Sequence, residues 1–249
     1  MALLASASIS LAAPPSGFVG FSFDTDIPVY DLSGSLLFDQ TMSGAGESVT
    51  PLSYGINVTQ DARGFITGSG VIEVAVGNDF VAAEYTAKGK ISTKEGVTRV
   101  SLNVKLKGED AIGGIFTDFR ITIEYSLTLN PETGALEGTT RGSGKFGPAG
   151  STKIRSDVSV GRSPGSDGSW VLQMNIVSFD KLSGTALVVL SNGRTLNFTL
   201  KGNFSSSTES STIKLSGTGD SRGNSAKVIF DDFELLLLEG KLFGQKVSL

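Results

Sequence analysis

The chain has 249 residues, 32 of them glycine, with no histidine, no cysteine and a formal net charge of −4. Those counts exclude an imidazole general base, a cysteine nucleophile, a Ser-His-Asp triad, a Cys/His zinc site and any disulfide. The acidic balance, with no basic run, also argues against nucleic acid as a partner.

Residues 1–17 read as a leader. An apolar stretch around Leu3-Leu4-Ala5 is followed by small residues, Ala12-Ala13, and then Pro14-Pro15. That is the order of the apolar and cleavage regions of a secretory signal, although no Lys or Arg precedes it. A disordered leader or a first strand is the alternative. On the signal reading the protein is secreted, periplasmic or displayed at the cell surface. No apolar run reaches the roughly 20 residues of a membrane-crossing helix.

From there the chain alternates. Val81, Ala83, Tyr85, Ala87, Gly89 and Ile91 share one strand face, as do Val100, Leu102, Val104 and Leu106. The longest run is Phe119, Ile121, Ile123, Tyr125, Leu127 and Leu129, with Arg120, Thr122, Glu124, Ser126 and Thr128 opposite. This period of two marks half-buried antiparallel strands. It recurs at Ile154–Val160, at Trp170/Leu172/Met174/Ile176 and at Leu196/Phe198/Leu200. Turn signals separate the runs: Gly77-Asn78, Glu95-Gly96, Asn130–Gly134 and Asn192-Gly193. The one helix candidate, Phe233–Glu239, fits a strand buried on both faces at least as well. The expectation is an all-β antiparallel meander of roughly 14–16 strands.

An internal duplication is also expected. Tyr85–Ser92 matches Phe198–Ser205, and at the same separation Val100 and Leu102 fall on Ile213 and Leu215. Ile66-Thr67-Gly68 matches Leu182-Ser183-Gly184, and Ile115–Phe119 matches Ile229–Phe233. Matches in constant order mark repeated units, here 18–133 and 134–249 within one all-β domain, 18–249. The result is a pseudo-two-fold arrangement, a closed barrel or a large sandwich. Either each unit forms its own small body or both share one. The junction Asn130–Gly134 is a hairpin rather than a spacer, which favours the shared body. Glycines at alternate strand positions, such as Gly68/Gly70 and Gly138/Gly142/Gly144, read as devices for bending the sheet, with close approach of a ligand as the alternative.

Candidate chemistry is sparse. No catalytic, metal or cofactor motif is present, and no cofactor is expected. The only repeated acids are Asp118 and Asp232, which would face each other if the units were related by a dyad. They are weak catalytic candidates, and solvated strand residues are the plainer reading. Trp170 begins an alternating strand and reads as core. The sequons at Asn57, Asn197 and Asn203 do not exceed chance in so Ser/Thr-rich a chain. An outer-membrane barrel lacks its aromatic girdles. The leading expectation is therefore a non-enzymatic exported protein with a structural or surface-interaction role and a cell-surface partner. A barrel holding a lipid or other apolar small molecule, and a hydrolase using carboxylates alone, are the alternatives.

Overall fold

The computed structural model describes residues 18–44, 49–112, 115–130, 132–146, 151–160, 166–178, 181–205, 210–231 and 234–249. The side chains of some strand residues, Asp118 and Trp170 among them, lie outside that description. Among the described residues the chain is antiparallel β-structure throughout, with one short 3-10 turn at Gly219–Ser221 and no α-helix. It forms 17 strand segments.

These are β1 (Phe18–Val29), β2 (Gly34–Gly44), β3 (Val49–Gln60), β4 (Phe65–Val76), β5 (Asp79–Lys94), β6 (Val97–Ile112) and β7 (Ile115–Leu129). Next come β8 (Leu136–Phe146), β9 (Ser151–Ile154), β10 (Asp157–Val160), β11 (Ser166–Ser178) and β12 (Lys181–Leu190). The last are β13 (Thr195–Ser205), β14 (Ser210–Gly217), β15 (Ser225–Asp231), β16 (Glu234–Leu242) and β17 (Gln245–Ser248). They divide between two compact units. One is Leu32–Pro164; the other takes the described residues of Met1–Asp31 and Gly165–Leu249. These units are not the sequence halves. The junction hairpin at Asn130–Gly134 lies inside the first, where it joins β7 to β8.

In the Leu32–Pro164 unit, β2 to β8 pair in sequence order, and β9 then pairs with both β8 and β2. The ladder thus returns to its start, and no strand from β2 to β9 is left as a free edge. β10 continues along β8 beyond β9. At the break between them the Thr140 hydroxyl donates to Ser156 O at 3.2 Å and accepts from Ser156 N–H at 3.1 Å. The inner face follows the alternation: Phe119, Ile121, Ile123, Tyr125, Leu127 and Leu129 of β7 are all buried, while Arg120, Glu124, Ser126 and Thr128 are exposed.

The inner face of β8 is nearly bare, reading Leu136, Gly138, Thr140, Gly142, Gly144. A β-carbon on Gly138 would collide with Ser126 O, and one on Gly144 with Arg120 O. Both obstacles are backbone atoms of β7. The glycines let β8 lie close against its neighbour as the sheet curves.

In the other unit β1 pairs with β11, and β11 to β17 follow in order. Gln245, buried in β17, uses its side-chain amide as a surrogate strand beside the end of β1. Its Oε1 accepts from Tyr30 N–H at 3.0 Å and its Nε2 donates to Tyr30 O at 2.8 Å. Asp31 and Arg194 form an ion pair at 2.9 Å, and the Arg194 guanidinium lies 4.1 Å from the Phe243 ring centroid. Phe243 is buried in the β16–β17 turn at φ 49°, and its N–H donates to Asn224 Oδ1 at 2.7 Å.

The run Leu235–Leu238 is strand, as expected, but it is not buried on both faces: Leu236 is 65% exposed. The reason is a bulge. Ile229 pairs with Leu237 and Phe230 with Leu235, so Leu236 has no partner opposite it.

The two hairpins matched in sequence carry the same register. Ile66 pairs with Gly89 and Leu182 with Gly202. Other matched segments occupy different places. Ile115–Phe119 opens β7, whereas Ile229–Asp231 closes β15.

Candidate functional site

The sequence candidates Asp118 and Asp232 are not brought into a described site. The backbone of Asp118 lies in β7 opposite Glu109, and its side chain is outside the described residues. Asp232 is itself outside the described residues, between β15 and β16. Trp170 pairs through its backbone with Phe23 and Val188, and its side chain is likewise outside.

A cleft of about 570 Å³ at the β7–β8 hairpin holds two acids that the sequence reading passed over, Glu132 and Glu137. Both side chains are exposed, so the cleft does not withdraw them from water as acid–base work requires. Among the described residues no group of three or more acids is placed to hold a metal ion, and no helix is long and apolar enough to cross a membrane.

Inside the Leu32–Pro164 unit lies a buried polar network. Tyr54 of β3 and Tyr125 of β7 meet hydroxyl to hydroxyl, and Gln40 Nε2 donates to the Tyr125 hydroxyl at 3.0 Å. Phe38 covers the pair, with its ring centroid 5.2 Å from that of Tyr54 and 4.5 Å from that of Tyr125. Three strands separate β3 from β7 in either direction around the ring of ladders. The tyrosines therefore reach each other across the interior and fill it at that level.

Burial, the largest cause, raises both phenols well above the usual tyrosine range, and for Tyr54 the neighbouring Tyr125 adds to it. An unfolded tyrosine ionises near pH ~10. Above that the unfolded chain has lost protons that the folded chain keeps, so stability falls as pH rises. Alkaline titration is expected to show Tyr54 and Tyr125 phenolate absorbance only together with loss of the β circular dichroism signal. Phenolate from these residues in a folded protein would contradict that. Tyr54→Phe keeps the Gln40–Tyr125 bond and should reduce the loss of stability above about pH 10.

The outer face offers a different kind of site. The β3–β4 ladder is interrupted between Tyr54↔Val74 and Thr59↔Thr67, because β4 carries two more residues than β3 across the gap. Asn57 keeps Ser35 of β2 as its partner on one side and loses its β4 partner on the other. Tyr85 of β5 replaces it from below: its hydroxyl donates to Asn57 O at 2.8 Å and accepts from Asn57 N–H at 3.2 Å. Gly70 makes way for that ring, since a β-carbon there would lie 3.1 Å from Tyr85 Cε1. Above the interruption opens a cleft of about 530 Å³, lined by Asn57, Thr59, Thr67, Ser69, Thr86 and Lys88 among others. All six are exposed. The glycines at 68 and 70 were the sequence signal for this irregularity, read there as curvature with close approach of a ligand as the alternative.

The cleft can offer hydroxyl, amide and ammonium groups to a polar ligand. It holds no carboxylate and no nucleophile–base pair. Compared with known proteins, the chain matches no family model, no curated protein and no solved structure.

Proposed function

We propose that this is a non-enzymatic exported β-protein that acts through its outer surface, in a structural or surface-interaction role. The observation that carries the reading is the hydroxyl contact of Tyr54 and Tyr125 across the Leu32–Pro164 unit. An interior crossed by packed side chains is a core, which leaves the outside as the working surface. The same contact weighs against a lumen for a lipid or other apolar small molecule. The exposure of Glu132 and Glu137 weighs against the carboxylate-only hydrolase. The closed ladder of β2 to β9 supports reading that unit as a barrel. The shared register of the β4–β5 and β12–β13 hairpins supports the internal repeat. Export rests on the leader, with its small residues before Pro14.

The test is fractionation of cells that make the protein, with intact-mass measurement of the product under native conditions. The expected product lacks the leader, is recovered outside the cytoplasm or on the cell surface, and has the mass of polypeptide without bound lipid. A full-length cytoplasmic product would overturn the export reading. A stoichiometric apolar ligand would overturn the filled interior in favour of the binding barrel.

A further inference from the structure

We propose that the outer face of the β4–β5 hairpin binds an acidic polysaccharide, and that the matching face of the β12–β13 hairpin is a second site of the same kind. The inference rests on the surface-interaction reading and names its ligand class.

The two faces carry the same chemistry in the same register. In one, Thr67 lies opposite Lys88 and Ser69 opposite Thr86. In the other, Ser183 lies opposite Lys201 and Thr185 opposite Thr199. Each is a patch of three hydroxyls and one ammonium on adjacent strands, about 4.8 Å apart. The first patch is also concave, because the lapse in β3–β4 pairing opens the 530 Å³ cleft directly over it.

Positive charge gathers at both patches although the whole chain is acidic. Lys90 follows Lys88 on the same strand face and sits 5.1 Å from the Phe65 ring centroid; Arg63, 5.2 Å from that ring, is ion-paired with Asp61 at 2.9 Å, and the acid of this face nearest Thr86 along β5 is Glu84. In the second patch Lys201, Lys214 and Lys227 lie in one row across β13, β14 and β15. Lys227 is paired with Glu239 at 3.7 Å. Among the described residues Lys88, Lys201 and Lys214 form no ion pair. Like charges directly opposite each other on neighbouring strands repel. A carboxylate or sulfate between Lys201 and Lys214 would relieve that repulsion.

The remaining groups identify the rest of the ligand. Threonine and serine hydroxyls and the Asn57 amide both donate and accept hydrogen bonds, which suits the hydroxyls of a sugar. Single-stranded nucleic acid would call for aromatic platforms interleaved with the cations, whereas Phe65 already carries two cations and the exposed Phe80 of the same face lies near the hairpin turn, far along β5 from Lys88. A membrane surface would call for apolar groups among the cations, and the exposed Val71 and Phe80 of this face lie toward the hairpin turn, away from Lys88.

The experiment is electrophoretic retardation of the full chain in gels containing polygalacturonate, heparin or dextran, with binding to anionic phospholipid vesicles and single-stranded DNA measured beside it. Retardation by polygalacturonate or heparin but not dextran is expected, and which of the two is preferred tells carboxylate from sulfate. It should weaken as salt is raised. Lys88→Gln and Lys201→Gln should each weaken it about three- to tenfold, the effect of one typical net hydrogen-bonded contact. Lys94→Gln, the same charge change at a hairpin tip, should leave it within about twofold. No retardation by either acidic polymer, equal retardation of wild type and the Lys88 and Lys201 variants, or tighter binding to vesicles or DNA would each overturn the proposal. A protein that is exported and stays at the cell surface but ignores both polymers would lose this ligand class and keep the surface reading. Cytoplasmic retention would remove the surface reading itself.

Discussion

Phe38→Ala is expected to lower stability by about 3–5 kcal/mol, the range for deleting a buried aromatic ring. Phe38 is 1% exposed and stands over the Tyr54–Tyr125 pair, in ring contact with both. Its loss would leave a cavity beside two hydroxyls that are satisfied only by each other and by Gln40. The neighbouring substitution is the control. Leu37 sits one residue earlier on β2 and is 67% exposed, so Leu37→Ala should stay within about 0.5 kcal/mol. Urea unfolding midpoints of the two variants measure the difference. Equal midpoints would mean that the interior of this unit is not packed as described, and the argument against a ligand-holding lumen would go with it.

The second large effect is expected at Gly144. A β-carbon there collides with the Arg120 carbonyl oxygen and lies 2.7 Å from Ile121 Cα. Neither atom can rotate away, so Gly144→Ala must push β7 and β8 apart. The cost is about 1–3 kcal/mol, at the upper end because the obstacle is backbone. Gly55→Ala is the matched comparison: its nearest contact is Leu37 Cδ2 at 2.9 Å, the tip of an exposed side chain that can swing clear. It should cost well under 1 kcal/mol, within the usual scatter for surface changes. Hydrogen exchange offers a second readout. Gly144→Ala should speed exchange of β7 and β8 amides ahead of those in β5 and β6. If both glycine variants lost stability equally, close strand approach would not be the reason β8 is glycine-rich.

How well sequence reasoning served differs from element to element. The alternation from Phe119 to Leu129 was legible because each inward residue is apolar and each outward one polar. The Leu235–Leu238 run carried no such pattern, and its burial depended on a bulge that only pairing with β15 creates. Asp118 and Asp232 drew attention because similar letters surround them. Yet Ile115–Phe119 begins a strand and Ile229–Asp231 ends one, so similar letters occupy different topological positions. The outer-face cleft left only a faint signal, Gly68 and Gly70. Its cause is non-local: a ladder that lapses between β3 and β4, patched by a tyrosine from β5.

The sequence alone determined what is local or compositional. Missing His and Cys excluded whole classes of chemistry, the period-two pattern produced an all-β antiparallel chain, and Gly and Asn placed the hairpins. These follow from side-chain identity and from interactions within a few residues. Tertiary structure decided the rest: that β9 joins β8 to β2, that Tyr54 and Tyr125 meet across the interior, and that Lys201, Lys214 and Lys227 stand in one row. Each depends on register and closure between distant strands. Register is the sum of many weak pairings over the whole sheet, so no single stretch of sequence displays it.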